Sequence, residues 1–409
     1  MQLSEELKWR GFWNQATFTD DERIDSGNFT LYLGTDPSAD SLHVGHLAVY
    51  MMVRHFLERG HKVFLLVGGG TGMIGDMRDT EERSLLSYAE IEHNKRALKA
   101  QVSQIFAGRD FTLVDNADWL GNLELLPFLR DIGKNFNMAE LTTREFFKAR
   151  IANGKGLSFA EFTYTLLQGY DFWHLFKHHG VNLQIGGSDQ WGNLVSGVEL
   201  IRKKENAEVY AMTAPLLINK STGRKFGKSE GGAVWLDETK TSVYKFYQFW
   251  LNVDDESAIE YMKIFTMLDR DTIEAIAENH AVNPGARSAQ KVLAREVTDI
   301  VHGVNRRESV ERVTEVLFGG GDFRQLSDDD LDALAQEIPR VDVGVGVIEA
   351  LVVSGAVSSN GEARRLLKSG AISLNGERLA NDQAINSQSL LKKGKNTFIL
   401  VAENMEGEE

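Results

Sequence analysis

The stretch NFTLYLGTDPSADSLHVGHLAVYMMVRHFLERGHKVFLLV (28–67) decides the fold. NFTLYLG (28–34) reads as a short buried strand, and HKVFLLV (61–67), apolar and β-branched, reads as the next. Between them Asp40 or Ser41 can cap a helix running from about Leu42 to Arg59, which Gly60 ends. Strand, helix and strand within about forty residues imply a right-handed parallel unit.

Further along, a glycine-rich loop, GGGTGMIGD (68–76), follows the second strand. Then come a helical stretch over about 82–107, a strand FTLVD (111–115), a helical insertion around 120–178, and a strand VNLQIGG (181–187) that turns into the helix of WGNLVSGVELIRKK. Residues 1–220 therefore read as an α/β domain, a Rossmann-like doubly wound parallel sheet with a helical insertion. From about 240 to 335 the pattern is helical, which places a lysine-bearing loop and an α-helical domain in 221–340. Pro339 and VDVGVGV (341–347) suggest a linker. The remainder, 345–405, reads as a small α+β domain: a helix GEARRLLKS stopped at Gly370, a strand AISLNGERL with an Asn-Gly turn, and a last strand NTFILVA.

A chain of 409 residues is too long for one ordinary core. Its 42% hydrophobic and 25% charged content is that of a globular protein. No apolar run reaches the ~18–20 residues of a membrane span, and MQLSEELKWRGF lacks a signal-peptide pattern, so a cytoplasmic location is expected. The absence of cysteine excludes disulfides, thiol nucleophiles and cysteine-ligated metals. A net charge of −14 by itself argues against nucleic acid as a partner. Residues 341–400 run the other way, with seven basic against five acidic residues.

Three constellations carry chemistry. His43-Val44-Gly45-His46 opens the first helix, and the three-residue step puts both imidazoles on one face. Free N–H groups and the positive dipole end make that opening an anion site, suited to a polyphosphate, and Gly45 lets a ligand approach the backbone. The zincin pattern needs a four-residue step and a glutamate, so no protein-ligated metal is expected here. Lys225-Phe226-Gly227-Lys228-Ser229 lies in the glycine-rich loop NKSTGRKFGKSEGG, where two lysines can close over a leaving pyrophosphate. In SFAEFTYTLLQGYDFWHLF, Ser158 and Glu161 form a capping box, and Tyr164, Gln168 and Asp171 make one polar stripe on an otherwise apolar helix. Burying such groups unpaired costs ~1–3 kcal/mol each.

The strand with Asp36-Pro37 and His-x-Gly-His, followed about 180 residues later by Lys-Phe-Gly-Lys-Ser, resembles the HIGH and KMSKS signatures of class I aminoacyl-tRNA synthetases in order and separation. The polar stripe, with LYLGTDPSADSLHVGHL (31–47) and GGSDQWGN (186–193), resembles the bacterial-type tyrosyl-tRNA synthetases in particular, from about residue 5 to 402. The segment from about 345 resembles their α-L RNA-binding domain.

The resemblance implies a tyrosine–tRNA ligase. Such an enzyme activates L-tyrosine with ATP and Mg²⁺, then loads the terminal adenosine of tRNA(Tyr), and it is a homodimer. It assigns Tyr32 and Asp171 to the substrate phenol, and Asp76, Tyr164 and Gln168 to its ammonium group, with Gln184 and Gln190 lining the same pocket. Gly34, Asp36, Gly45, Gly187 and Asp189 would meet the nucleotide or adenylate. His43, His46, Lys225, Lys228 and Ser229 would serve the phosphates, and Arg364, Arg365 and Lys368 would contact RNA. In the loop after Gly75-Asp76 many members of the family carry lysines, and this chain reads Met77-Arg78-Asp79-Thr80-Glu81-Glu82-Arg83 instead.

Two other readings remain open on the residues. Gly70-x-Gly72-x-x-Gly75 after a strand matches a dinucleotide fingerprint, although Glu90, where the ribose-binding acid should stand, falls in a helical stretch. A non-catalytic RNA-binding protein would use Arg364 and Lys368, on one helix face, for phosphates.

Overall fold

A computed structural model describes residues 1–76, 85–142, 148, 158–218, 223, 226–229 and 232–403. The chain divides into two compact units, Met1–Thr241 with Phe249–Val301, and Ser242–Gln248 with His302–Glu409.

The first unit is built on a six-stranded sheet of β1 (Gln15–Ala16), β2 (Thr30–Thr35), β3 (Lys62–Val67), β4 (Thr112–Asp115), β5 (Leu183–Gly187) and β6 (Tyr210–Ala214). The spatial order is β1-β6-β5-β2-β3-β4. All neighbours are parallel except β1, which adds an antiparallel edge. Val63–Val67 and Leu183–Ile185 are buried throughout, as strands covered on both faces must be, and this is why Val63–Val67 reads as an unbroken apolar run. From β2 the chain steps outward to β3 and β4, then returns to the other side of β2 with β5 and β6. A crevice opens at the carboxyl ends of β2 and β5, where such reversals place ligands.

The helix between β2 and β3 spans Val44–Glu58, and its cap is His43 rather than Asp40 or Ser41. Those two side chains are engaged elsewhere: Asp40 pairs with Lys240 at 2.8 Å, and Ser41 Oγ accepts from the Asp237 N–H at 3.2 Å. The helix ends at Arg59, followed by Gly60 with φ +83°. The next helix starts later than its composition predicts, at Tyr88, because Ser87 and Glu90 form a capping box there; residues 77–84 lie outside the described ones. The helix Phe159–His179 opens on the expected Ser158–Glu161 box. Helices Asp255–Phe265 and Arg270–Val282 belong to the first unit and Val304–Thr314 to the second, so the helical stretch expected over about 240–335 contributes to both. A two-residue hairpin, β7 (Lys228–Ser229) with β8 (Gly232–Ala233), follows the first lysine-loop residues.

The second unit holds a sheet of β9 (Arg340–Val341), β10 (Ile372–Leu374), β11 (Glu377–Arg378), β12 (Ser389–Lys393) and β13 (Thr397–Val401), in the order β11-β10-β12-β13-β9. Asn375 and Gly376 both take positive φ, 50° and 86°, as a two-residue hairpin turn demands. The stretch 339–347 is no linker. Arg340–Val341 pairs parallel with β13, and Val341 and Val347 are buried with Leu351, Ile372 and Ile399. A further core joins Val313, Leu317 and Leu334 to Leu390, Phe398 and Leu400. No helix among the described residues is long and apolar enough to cross a membrane.

Candidate active site

Tyr32 on β2 stands directly across from Gln184 on β5, so both side chains leave the same face of the sheet. They enter a cavity of about 590 Å³ in the first unit. It is also lined by Gly34, Asp36, His43, Gly45, His46, Asp76, Tyr164, Gln168, Asp171, Gly187, Asp189 and Gln190. The spacing Tyr164, Gln168, Asp171 thus presents three polar groups to one space. Leu33 and Val49 add apolar wall.

Within it, Tyr32 OH, Gln184 Oε1 and Gln168 Oε1 are buried and have no hydrogen-bond partner. Buried polar atoms are rarely left so, and each unpaired one costs about 1–3 kcal/mol. Asp171 is 3% exposed. Burial pushes its carboxyl up to about 7, against hydrogen bonds from Asn116 Nδ2 at 2.9 Å and Trp119 Nε1 at 2.7 Å, and the charge of Asp36 adds to the rise. The Tyr32 phenol is raised by burial and by Asp171.

Asp36 accepts from Thr71 Oγ1 and from Tyr164 OH, both at 2.7 Å. Asp76 accepts from Gln190 Nε2 at 2.7 Å and from Asn193 Nδ2 at 3.5 Å. Burial, then the charges of Asp36, Asp76 and Asp171, hold the Tyr164 phenol well above its ordinary range. Four carboxyl groups around one cavity, those of Asp36, Asp76, Asp171 and Asp189, favour a cationic ligand group.

The glycine loop does not cradle phosphates. Its amides are occupied: Gly68 N–H by Thr35 O, Gly69 N–H by Val67 O and Asp115, Gly70 N–H by Asn116 Oδ1, and Gly72 N–H by Gly68 O. A Cβ at Gly68 would lie 2.2 Å from Asp36 Oδ1, and one at Gly69 2.5 Å from Asp115 Oδ1. The glycines are there so that carboxylates can approach. The dinucleotide reading therefore loses its phosphate donors.

The histidine helix also departs from expectation. His43 N–H donates to His46 Nδ1 at 3.2 Å, Val44 N–H to Val234 O at 3.0 Å, Gly45 N–H to His43 Nδ1 at 3.0 Å, and His46 N–H to His43 O at 2.9 Å. The amides expected to be free at this opening are all taken. An Nδ1 that accepts carries no proton, so each ring bears its proton on Nε2. Burial, then the neighbouring His43, lowers His46 to about 3. The donors offered at the opening are thus imidazole N–H groups.

The lysine loop reaches this opening through its backbone. Val234 accepts from Val44 N–H and itself donates to Gly227 O at 2.9 Å. Trp235 forms a bridge with His43, and their rings meet edge to face at 6.0 Å. Lys225 lies outside the described residues, and of Lys228 and Ser229 only the backbone is described. In the second unit Arg364, Arg365 and Lys368 are exposed on the helix Asn360–Lys368.

Sequence reasoning missed Asn116, Trp119, Thr71 and Trp235. Asn116 joins the glycine loop to Asp171, donating to both Thr71 Oγ1 and Asp171. The available signal was its place, immediately after the carboxyl end of β4.

The family model described as tRNA synthetases class I (W and Y) matches residues 25–319, and that of the tyrosine–tRNA ligase SYY-like C-terminal domain matches 330–401. The chain is similar to the tyrosine–tRNA ligase of Limosilactobacillus reuteri, with 43% identity covering 98% of this chain and 99% of that one. The enzyme of Flavobacterium psychrophilum is 42% identical, with 98% and 96% covered. A solved structure of a C-terminally truncated mitochondrial tyrosyl-tRNA synthetase from Aspergillus nidulans has a TM-score of 0.71 at 29% identity, covering 78% of this chain and 94% of that one. With one family model spanning most of the first unit, a second spanning most of the C-terminal sheet, and relatives alike over nearly the whole length, the chain belongs to the class I tRNA synthetases, in their tyrosine–tRNA ligase branch.

Proposed function

We propose that the crevice between β2 and β5 is where this tyrosine–tRNA ligase joins L-tyrosine to ATP and then passes the aminoacyl group to tRNA(Tyr). The observation that carries the assignment is the set of unpaired buried atoms, Tyr32 OH, Gln184 Oε1 and Gln168 Oε1, beside Asp171. A phenol hydroxyl can donate to Asp171 and accept from Tyr32. An ammonium group, with donors only, matches Gln168, Asp76 and the acceptors around them.

The tyrosine carboxylate attacks the α-phosphorus of ATP in line, and pyrophosphate leaves. No protein nucleophile takes part. The chain contributes position and charge stabilisation. The Nε2–H groups of His43 and His46 donate to phosphate oxygens as charge builds, and Lys225, Lys228 and Ser229 act on the same phosphates. Asp36, Asp189, Gly34 and the close-packed Gly45 and Gly187 hold the nucleoside. Mg²⁺ comes with the nucleotide, on its phosphates. A ribose hydroxyl of the tRNA terminus then accepts the acyl group.

The segment 345–405, with exposed Arg364, Arg365 and Lys368, serves RNA binding, and 221–340 carries the loop and the helices on the anticodon side. The enzyme works in the cytoplasm, where its tRNA and ATP are. A second copy of the chain covers the exposed Leu125, Leu126 and Leu129 of the helix Leu125–Asp131, Met138 of the helix Met138–Leu141, and Phe159 at the start of the helix Phe159–His179.

The test is pyrophosphate exchange into ATP, run with each of the twenty amino acids. Exchange with tyrosine and not with phenylalanine is expected; exchange independent of tyrosine would remove the assignment.

A further inference from the structure

Phe226 sits between the two loop lysines, yet it is only 6% exposed. Its ring enters an aromatic box in the first unit, with centroids 4.4 Å from Tyr261, 5.4 Å from Phe265, 5.5 Å from Phe249 and 5.7 Å from Trp250. Its N–H donates to Leu217 O at 2.9 Å, and Leu217 lines the cavity. The very next residue is pressed against the histidine helix. Gly227 takes φ +82°, and a Cβ there would lie 2.5 Å from Val44 Cγ2 and 3.4 Å from Gly45 N.

Two consecutive residues of the loop are thus clamped to two different elements of the first unit, the helices over 249–265 and the first turn of the histidine helix. Gly227 O accepts from Val234 N–H, and Val234 O accepts from Val44 N–H, which closes the clamp by backbone. Beyond it the chain enters β7, where Lys228 pairs with Ala233. A ring held by four others has few alternative placements, since aromatic packing in a core is dense and directional. With φ and ψ of Gly227 set by contact with Val44, the direction in which the chain leaves toward Lys228 follows from where the Phe226 ring is seated.

We infer that Phe226 is a positioning residue for adenylate formation: its seat in the aromatic box fixes the loop at a pivot, so that Lys228 is delivered to the phosphates held at His43 and His46. This rests on the reading of the cavity as the tyrosine-activating site. The ring itself touches no reacting atom, and its effect passes through Lys228.

The experiment is a double-mutant cycle of Phe226→Ala and Lys228→Ala in the full chain, read by tyrosine-dependent pyrophosphate exchange. Tyrosine affinity and melting temperature are measured alongside, and Phe226→Leu tests apolar rescue. Phe226→Ala is expected to lower turnover about tenfold or more while tyrosine affinity stays within about twofold, and Phe226→Leu to recover most of it. In the Lys228→Ala background the same change should cost less than about threefold, because the group being positioned is gone. Equal losses in both backgrounds, or a turnover loss matched by lost tyrosine binding and a lowered melting temperature, would reduce Phe226 to an ordinary core residue and overturn the inference. Unchanged turnover in Phe226→Ala would do so as well. A wild-type chain without tyrosine-dependent exchange would instead bring down the parent reading, and this inference with it.

Discussion

The imidazoles of His43 and His46 stack with centroids 3.9 Å apart and planes at 27°, and each turns its Nδ1 to a backbone N–H of the same helical turn. One pair of side chains therefore closes the helix and presents N–H donors to the cavity. The two tasks separate by substitution. His43→Ala should lower the rate of adenylate formation by about 10²-fold, as removal of a transition-state donor does, and should destabilise the helix by about 1 kcal/mol. His43→Ser restores a capping oxygen, so it should recover the stability and leave the rate low. Exchange kinetics with thermal melts check this; recovery of both together would merge the two roles.

His46, lowered to about 3, is neutral throughout the working range. In the unfolded chain it titrates near 6.5, so its contribution to stability is complete above that pH. As pH falls toward about 3 the unfolded state gains the proton first, and stability declines by up to about 1.4 kcal/mol per pH unit. Denaturation of His46→Gln and wild type between pH 4 and pH 8, on the order of two units either side of that midpoint, should show a shallower acid limb in the variant. Identical limbs would mean that His46 is not the group responsible.

In the proposed site Asp171 accepts the substrate phenol as a carboxylate, its stronger acceptor form, and burial lifts its carboxyl to about 7. Tyrosine affinity of the free enzyme should therefore fall as pH drops through about 7, approaching tenfold per unit, with no such trend for an analogue lacking the hydroxyl. Trp119→Phe removes the donor at 2.7 Å and should move the midpoint upward. Equilibrium titration of tyrosine from pH 5.5 to about 8.5 measures it; a flat profile would mean that the phenol is held otherwise.

Phe159 is 71% exposed, with Leu126 at 76% and Leu125 at 68%. These are the side chains that the proposed second copy of the chain would bury. Phe159→Asp places a charge within it and should convert the expected dimer to a chain of 45.7 kDa by sedimentation. A variant that stays dimeric would move the interface elsewhere.

In the second unit Arg312 meets the fully buried Asp330 through two bonds of 2.8 Å. Burial acts to raise the Asp330 carboxyl, but hydrogen bonds, the largest of them from Arg312, outweigh it and bring it down to about 2. A lowered carboxylate contributes stability that is complete above its unfolded value and is lost as pH falls from about 4 through about 2. Asp330→Ala should cost about 2 kcal/mol near neutrality, less than a fully buried pair because Arg312 is half-exposed. Chemical denaturation of the full chain tests this, and a change under about 0.5 kcal/mol would contradict it.

Local sequence was sufficient wherever neighbours in the chain decide the outcome. The Ser158–Glu161 cap and the Asn375-Gly376 turn are settled by residues a few positions apart, and the strand–helix–strand unit by the local hydrophobic pattern of each of its three pieces. The stripe of Tyr164, Gln168 and Asp171 was equally legible, because an α-helix brings positions three and four apart to one face. Tertiary structure alone decided what depends on distant partners. His43 took the cap because Asp40 was drawn to Lys240, 200 residues on. Arg340–Val341 became a strand because β13 offered an open edge, although its own glycines and proline point to a linker. Asp171 owes its properties to burial and to Asn116 and Trp119, more than fifty positions away. Desolvation and long-range hydrogen bonds arise only once the chain has closed on itself, and no local pattern of residue types records them.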